Sequence, residues 1–204
     1  MVRQHISGRG IRSRRVLGAF LRADRRHFVP DRYAAQAYED HPLPIGSGQT
    51  VSQPYMVALM LEALEVHRGM KVLEVGSGSG YVLALLRAMG ARPCGVEWHP
   101  ELLSVLHDNL QAAGISGIPV RRGDGGLGWP EEAPFDRILV SAACPEAPAP
   151  LLDQLKVGGR LAAPLDSGMS QLLTRITRTP TGFRQEQLAG CIFVPLLGKY
   201  GRRP

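Results

Sequence analysis

Residues 71–80 read Lys-Val-Leu-Glu-Val-Gly-Ser-Gly-Ser-Gly, an apolar strand pattern that ends in three alternating glycines. A helical pattern over residues 81–89 follows directly. Glycine lets the backbone turn tightly and approach a ligand closely, and the first N–H groups of a helix are free to bind a polar group. The stretch therefore predicts a strand, a cofactor-binding loop and a helix. A tight turn without a ligand is the alternative.

The spacing of these glycines argues against a nicotinamide dinucleotide. The dinucleotide fingerprint needs a third glycine after Gly-x-Gly-x-x, and that position holds Tyr81. Glu74 lies inside the strand just before the first glycine, where its carboxylate suits a cofactor that carries positive charge. S-adenosylmethionine carries both an ammonium and a sulfonium group. The sequence therefore favours an S-adenosylmethionine-dependent methyltransferase.

Strand and helix patterns alternate after Gly69, whereas residues 1–68 contain helical patterns and a connection rich in proline and glycine. Apolar strands separated by amphipathic helices build a parallel sheet that is covered on both faces. We therefore predict an α/β fold: a three-layer, doubly wound, mostly parallel, Rossmann-like sheet with a helical N-terminal extension and a C-terminal antiparallel strand pair. The predicted strands are 71–75, 93–97, 118–122, 137–141 and 160–164, with 171–178 and 184–194 as the closing pair, and the main predicted helices are 55–66, 79–89, 100–113 and 148–155.

Length and charge restrict the class of protein. At 204 residues the chain is long enough to bury a core without disulfides or a metal, and we expect no metal site. We divide it into a helical and substrate-loop region, 1–68, and a compact methyltransferase domain, 69–204. The net charge is +6, with arginines concentrated in residues 3–32. This favours either a nucleic-acid partner or, our preferred interpretation, an amphipathic helix with a solvated basic face.

The cysteines indicate a reducing compartment. Cys94, Cys144 and Cys191 lie far apart, without Cys-x-x-Cys spacing or a histidine cluster, which is typical of reduced thiols. No apolar run is long enough to cross a membrane, and the arginine-rich start is not followed by the apolar region of a signal peptide. We expect a cytoplasmic protein.

Four predicted strands end at residues that suit a cofactor, because ligands of a parallel sheet bind beyond the carboxyl ends of its strands. Glu97 lies 23 positions after Glu74, the usual separation of a carboxylate that accepts hydrogen bonds from a ribose diol; an exposed acid at a helix start is the alternative. Asp124 suits either an adenine amino group or a turn stabilised by its own backbone. The strand-end candidates are Gly76, Ser77, Gly78, Glu97, Asp124, Gly125, Ser141, Ala142 and Ala143.

The loop after the fourth predicted strand reads Ser-Ala-Ala-Cys-Pro over residues 141–145. Enzymes that methylate exocyclic or amide nitrogens commonly carry Asn/Asp-Pro-Pro-aromatic here, so nitrogen methylation is disfavoured. Cys144 raises the alternative of a cysteine nucleophile for cytosine-C5 methylation. Those enzymes typically have Pro-Cys rather than Cys-Pro, which argues against that reaction.

The segment 38–55 is too polar and too rich in proline and glycine for ordinary secondary structure. Pro54 then opens a helical pattern, which leaves Ser52 beside a helix N-terminus. There the serine hydroxyl and the free N–H groups suit a bound carboxylate. Plain capping of the helix by Ser52 or Gln53 is an equal alternative.

These motifs together resemble the protein-L-isoaspartate (D-aspartate) O-methyltransferase family, which repairs isomerised aspartyl sites in ageing proteins. The resemblance covers nearly the whole chain, and its most specific part is Gln-Thr-Val-Ser-Gln-Pro-Tyr at residues 49–55. The sequence departs from the family pattern at Trp98 and Asp166. The other matching stretches are 9–11, 28–30, 42–46, 74–80, 123–125, 134–136, 154–161 and 193–196.

The resemblance implies a role for each group of residues. Ser52 would be the active-site serine, and Thr50, Val51 and Ser52 would cover the methyl donor. The remaining donor-pocket residues would be Glu74, Gly76, Ser77, Gly78, Glu97, Asp124 and Gly125. The substrate peptide would bind Gln53 and Pro54 and pair with the backbone of Val194, Pro195 and Leu196 in the β-addition mode.

The implied reaction transfers a methyl group from S-adenosylmethionine to the free carboxylate of an L-isoaspartyl or D-aspartyl residue and leaves S-adenosylhomocysteine. We expect a monomer whose partners are isoaspartyl peptides and proteins, without nucleic acid or membrane. One alternative is a methyltransferase for RNA or another carboxylate. The other is a protein that binds S-adenosylmethionine without catalysis.

Overall fold

Seven strands form the central sheet of the computed structural model, which describes residues 1–203. A separate hairpin consists of β1 (Leu43–Gly46) and β2 (Gln49–Val51). The sheet strands are β3 (Lys71–Val75), β4 (Arg92–Glu97), β5 (Val120–Arg122), β6 (Phe135–Val140), β7 (Leu155–Asp166), β8 (Gln171–Thr179) and β9 (Gly182–Cys191). They lie in the order β5-β4-β3-β6-β7-β8-β9.

The first five strands of that order run parallel, and β8 and β9 are each antiparallel to the preceding strand. The predicted mostly parallel sheet with a closing antiparallel pair is therefore confirmed. β7 is longer than predicted because Leu155 pairs with β6 and Asp166 pairs with β8. β9 ends at Cys191, earlier than predicted, so that residues 192–194 leave the sheet.

Helices cover both faces of the sheet. On one face, α1 (Arg14–Arg22), α2 (Pro54–Leu64), α3 (Tyr81–Ala88) and α4 (Pro100–Ala112) share an apolar core with Val72 of β3. On the other face, α5 (Ala149–Asp153) packs in a second core with Leu73 and Val75, because alternate residues of a strand point to opposite faces. The three predicted layers are present.

The N-terminal region belongs to the first of these cores, to which it contributes Ile6, Phe20 and Phe28. The division of the chain near residue 68 stays a prediction. Within residues 1–203, no helix is long and apolar enough to cross a membrane. The short helical turns are Val2–Ile6, Ser7–Arg9, Arg25–Phe28, Asp31–Gln36, Gly125–Leu127 and Pro130–Glu132.

The hairpin β1–β2 corrects the prediction that segment 38–55 lacks ordinary secondary structure. Leu43 and Ile45 alternate with exposed residues and are buried, and β1 pairs antiparallel with β2. The turn between them is Gly46-Ser47-Gly48, and all three residues have a positive φ. The glycines that argue against a strand in the sequence therefore make the tight turn of a hairpin possible.

The basic N-terminal segment forms the predicted amphipathic helix, but Arg25 is not exposed as predicted. In α1 the apolar side chains of Val16 and Phe20 are buried, and Arg14 and Arg15 are exposed, as an amphipathic helix requires. Arg25 follows the end of this helix and is 0% exposed. Because Arg25 lies within the basic segment 3–32, the prediction of a solvated basic face is wrong for this residue.

Candidate active site

A cavity lies beyond the carboxyl ends of β3, β4 and β6, the edge at which ligands of parallel sheets bind. Polar and apolar residues line it together. The glycine loop forms one wall. Gly76 and Gly78 have φ values of +79° and +49°, a region that favours glycine, so the loop can bend back under the cavity.

Glu74 faces this cavity from inside β3 and is only 1% exposed. Its Oε1 accepts a hydrogen bond from Ser141 Oγ at 3.0 Å. Its Oε2 is buried and has no hydrogen-bond partner among the described residues. Burial, with a smaller contribution from the nearby Glu97 charge, raises the pKa of Glu74 well above its ordinary value. A cationic group in the cavity would satisfy this carboxylate.

Glu97, at the end of β4, is held rigidly. Its Oε2 accepts a hydrogen bond from the Gly78 N–H at 2.8 Å, and its Oε1 accepts one from the His99 N–H at 2.9 Å. The side chain is 4% exposed, which excludes the alternative of an exposed acid at a helix start. Each carboxylate oxygen has a second lone pair, so Glu97 can still accept hydrogen bonds from a ligand.

The cavity wall carries further polar atoms whose hydrogen-bonding capacity is unused. Within residues 1–203, Ser77 Oγ, Tyr81 Oη and His99 Nε2 are all buried without a hydrogen-bond partner. Trp98 and Leu102 supply apolar surface on the same wall. The combination of apolar surface with polar residues in one cavity is typical of a ligand site.

The end of the hairpin, residues 49–52, forms the opposite wall of the cavity. Ser52 lies just before α2, whose first turn receives its cap from elsewhere: Asp40 Oδ1 accepts from the Tyr55 N–H at 3.0 Å. Gln53, the residue at the cap position, makes no side-chain capping bond. The structure therefore excludes helix capping by Ser52 or Gln53. In the described chain, the Ser52 hydroxyl has no hydrogen-bond partner and remains free for a ligand.

A second cavity adjoins the first. It is mostly apolar and contains no charged side chain, and Ile192 on its rim is 94% exposed. Both cavities are lined by Thr50, Ser52, Ser141 and Val194, so these residues form the boundary between them. The other lining residues of the second cavity are Pro42, Gln53, Met56, Gly190, Cys191, Ile192 and Phe193.

The segment 194–196 pairs with the loop after β6. The Ala143 N–H donates to the Val194 carbonyl and the Leu196 N–H donates to the Ala143 carbonyl, both at 2.8 Å. The Leu196 carbonyl accepts from the Arg202 N–H at 2.7 Å. Of the backbone groups predicted to pair with a peptide, the Val194 carbonyl and both groups of Leu196 are thus used within the chain. The Val194 N–H has no partner within residues 1–203.

Neither cavity is lined by the candidates Asp124, Ala143, Cys144 and Pro54. Asp124 accepts hydrogen bonds from the N–H groups of Gly126 and Lys199, at 2.9 and 2.8 Å. This matches the interpretation as a turn residue, and contact with an adenine stays a prediction. Cys144 is fully buried, and burial raises the pKa of its thiol to about 12, so it is unsuited to act as a nucleophile.

The structure brings most of the predicted residues to one place. The first cavity is lined by Thr50, Val51, Ser52, Glu74, Gly76, Ser77, Gly78, Glu97, Gly125, Val194, Pro195 and Leu196. Gln53 lines the second cavity, and Pro54 lines neither. Our assignment of roles did not include Ser141, although its position at a strand end was noted. It also missed Asp40, which gives no signal in the sequence beyond lying in a polar loop.

Comparison with known proteins agrees with this geometry. The family model described as Protein-L-isoaspartate(D-aspartate) O-methyltransferase matches residues 1–201. The chain belongs to this family. A family relative from Syntrophobacter fumaroxidans, named Protein-L-isoaspartate O-methyltransferase 1, is 47% identical over 98% of this chain and 94% of its own length. Another from Anaeromyxobacter, named Protein-L-isoaspartate O-methyltransferase 2, is 49% identical over 96% of this chain and 81% of its own.

Solved structures of the family have the same fold. One protein-L-isoaspartate O-methyltransferase superposes with a TM-score of 0.86 and 26% identity over 98% of this chain and 67% of its own. A putative family member from Plasmodium falciparum, determined in complex with S-adenosyl-L-homocysteine, has a TM-score of 0.84 and 27% identity over 96% of both chains. The predicted methyltransferase fold is therefore confirmed.

Proposed function

We propose that this protein transfers a methyl group from S-adenosylmethionine to the free carboxylate of L-isoaspartyl residues in damaged proteins, which initiates their repair through a succinimide. The observation that carries this proposal is the pair of adjoining cavities that meet at Ser52. The first contains the carboxylates Glu74 and Glu97, and the second contains no charged side chain. This arrangement suits a cationic donor beside an anionic acceptor.

The donor would be held by two carboxylates whose hydrogen-bonding capacity is not fully used within the chain. Glu74 Oε2 would face the positively charged methionyl part, and Glu97 would accept hydrogen bonds from the ribose hydroxyls. Trp98 and Leu102 would pack against the adenine. The cationic sulfonium makes its methyl group electrophilic and leaves as a neutral sulfide.

The acceptor carboxylate would be oriented by the Ser52 hydroxyl, with Gln53 and the Val194 N–H holding the peptide. A carboxyl group with a pKa near 4 is already ionised at neutral pH, so no general base is needed. The new O–CH₃ bond forms as the S–CH₃ bond breaks, and the electron pair of that bond stays on sulfur. Catalysis would rest on alignment of the two reactants, which is worth roughly 7–11 kcal/mol in favourable cases. The ester then closes to a succinimide without the enzyme.

The decisive experiment uses labelled S-adenosylmethionine and three peptides that differ at one residue: L-isoaspartyl, D-aspartyl and L-aspartyl. We expect base-labile label on the isoaspartyl peptide and none on the L-aspartyl peptide. The D-aspartyl peptide tests whether the enzyme also methylates D-aspartyl residues. Absence of label from all three, with donor binding intact, would reject the proposed function. It would favour another carboxylate, RNA or a protein without catalytic activity.

The raised pKa of Glu74 predicts a pH dependence of donor binding. In the free protein Glu74 keeps a proton above the ordinary range of a glutamic acid, whereas a cationic ligand favours the ionised form. Binding should therefore release a proton, and affinity should rise with pH until Glu74 is ionised in the free protein. Calorimetry in buffers of different ionisation enthalpy measures that proton. In the Glu74→Gln variant proton release should disappear; its persistence would assign the proton to another group.

We also propose that the enzyme acts as a cytoplasmic monomer without nucleic acid. Arg25 is buried and donates to backbone carbonyls, so its charge does not contribute to a basic surface that could bind phosphates. The three free cysteines support a reducing compartment. Sedimentation with and without a short RNA would reveal self-association or RNA binding if either occurs.

A further inference from the structure

Arg25 is the largest fully buried side chain of the protein as described over residues 1–203. Its guanidinium donates hydrogen bonds only to backbone carbonyls, and these come from two separate segments. One is the loop before the hairpin, and the other is the end of β2. The acceptors are the carbonyls of Ala37 at 2.9 Å, Glu39 at 3.4 Å, His41 at 3.2 Å, Val51 at 3.5 Å and Ser52 at 3.0 Å.

A buried charge without a carboxylate partner is costly, so its presence needs a reason. No carboxylate lies within ion-pair distance of Arg25 in the described residues. A planar guanidinium presents donors in fixed directions and can bridge carbonyls of two segments at once, which a single ammonium does less well. Its position therefore fits a group that ties two stretches of backbone together.

One of those stretches carries the serine of the proposed active site. The bond from Arg25 to the Ser52 carbonyl fixes the main chain of Ser52 on the interior side, while the Ser52 hydroxyl remains free at the boundary of the two cavities. Asp40 fixes the chain on the other side of Ser52, through the Gln53 amide at 3.1 Å and the Tyr55 N–H at 3.0 Å. Ser52 thus lies between two anchored points.

We propose that Arg25 is a positioning residue for the methyl transfer: it holds the backbone of Ser52 so that the serine hydroxyl points at the acceptor carboxylate. This inference rests on the proposed function of the site and goes beyond it, since Arg25 touches neither cavity. An error of about 1 Å in such a position can cost on the order of 100-fold in rate. If Arg25 only stabilised the fold, its replacement would change kcat equally with and without the Ser52 hydroxyl. If Arg25 positions Ser52, the change in kcat should depend on that hydroxyl.

A double-mutant cycle tests that dependence. The variants are Arg25→Lys, Ser52→Ala and the combination, and kcat, KM for the isoaspartyl peptide and Kd for S-adenosylhomocysteine are measured for each. We expect Arg25→Lys to lower kcat by about 30-fold in the parent and by less than about 3-fold in the Ser52→Ala background, because residues that act as a unit are not additive. Kd should change less than kcat.

Arg137 provides the matched control. It is also a buried arginine that bonds backbone carbonyls, those of Leu64, Glu65 and Asp136, but it lies away from both cavities. Arg137→Lys should lower the melting temperature while kcat at a temperature well below melting changes by less than about 2-fold. A fall of kcat in Arg137→Lys as large as in Arg25→Lys would assign both arginines to general stability and overturn the proposal.

The remaining outcomes also decide the question. Equal losses of kcat from Arg25→Lys with and without the Ser52 hydroxyl would overturn the proposal, because Arg25 would then act independently of Ser52. If Arg25→Lys does not fold, Arg25→Gln repeats the cycle, and failure of both to fold would assign Arg25 to stability alone. A parent protein that does not label the isoaspartyl peptide would reject the proposed function itself, whereas an active parent with an additive cycle rejects only this inference.

Discussion

Glu97→Ala is expected to weaken the binding of S-adenosylhomocysteine by about 100-fold, as loss of two charge-assisted hydrogen bonds to the ribose would do. The same change frees the N–H groups of Gly78 and His99, which Glu97 now holds, so the glycine loop loses its fixed position. Isothermal titration calorimetry measures the affinity directly. Thermal unfolding, recorded in parallel, establishes that the variant is folded at the temperature of titration.

Two further variants make the Glu97 result specific. Glu97→Gln keeps the shape of the side chain and one acceptor oxygen, so we expect an intermediate loss of about 10-fold. Glu101→Ala removes an exposed carboxylate from the first turn of α4, close in sequence and outside the cavity. It should bind S-adenosylhomocysteine like the parent. Unchanged affinity in Glu97→Ala would show that the ribose is held elsewhere.

Ser52→Ala is expected to lower kcat for the isoaspartyl peptide by about 100-fold, the order of magnitude lost with one preorganised hydrogen-bond donor. The Kd of S-adenosylhomocysteine should stay within about 3-fold of the parent value, because the anionic and apolar groups of the donor cavity remain. Steady-state kinetics with the labelled donor, combined with calorimetry, separates the two effects.

The control for Ser52 is Ser104→Ala, which removes a hydroxyl from the exposed side of α4 and should leave both quantities unchanged. The two predictions assign different roles: Glu97 is needed for donor binding, and Ser52 is needed for turnover. If calorimetry and kinetics gave the reverse pattern, with Ser52→Ala losing donor affinity and Glu97→Ala losing only kcat, the assignment of roles would be wrong.

The parts of the fold that could be predicted are those whose sequence pattern is local. β3 has the predicted bounds because an apolar run ends abruptly at Gly76. The site could be predicted for a related reason, because the carboxyl ends of parallel strands meet at one edge of the sheet. Glu74, Gly78 and Glu97 lie within or just after such strands, so they could be placed together from the sequence. The local pattern placed Ser52 beside a helix N-terminus, and the family resemblance favoured a role in binding over plain capping.

The parts that could not be predicted depend on backbone groups far away in the sequence. Arg25 lies in a stretch rich in arginines. Its hydrogen-bond acceptors are backbone carbonyls, and because every residue has one, no pattern of side chains reveals them. Asp40 caps α2 from 15 positions before Tyr55, so the usual search for a capping residue next to the helix fails. In the hairpin, Pro44 and Gly46 conceal the alternation of buried Leu43 and Ile45.

Within residues 1–203, Ile192 is exposed and the Val194 N–H has no partner, which has a consequence for the proteins that the enzyme repairs. An N–H beside an apolar rim can donate a hydrogen bond to a peptide carbonyl only where the peptide chain is extended and that carbonyl has no other partner. A damaged aspartyl site within a helix or a central strand would first have to open locally, at a free energy that differs widely among regions of a protein. The rate of repair would then follow the local opening of each client, so that damage in loops and termini is reversed before damage in stable cores.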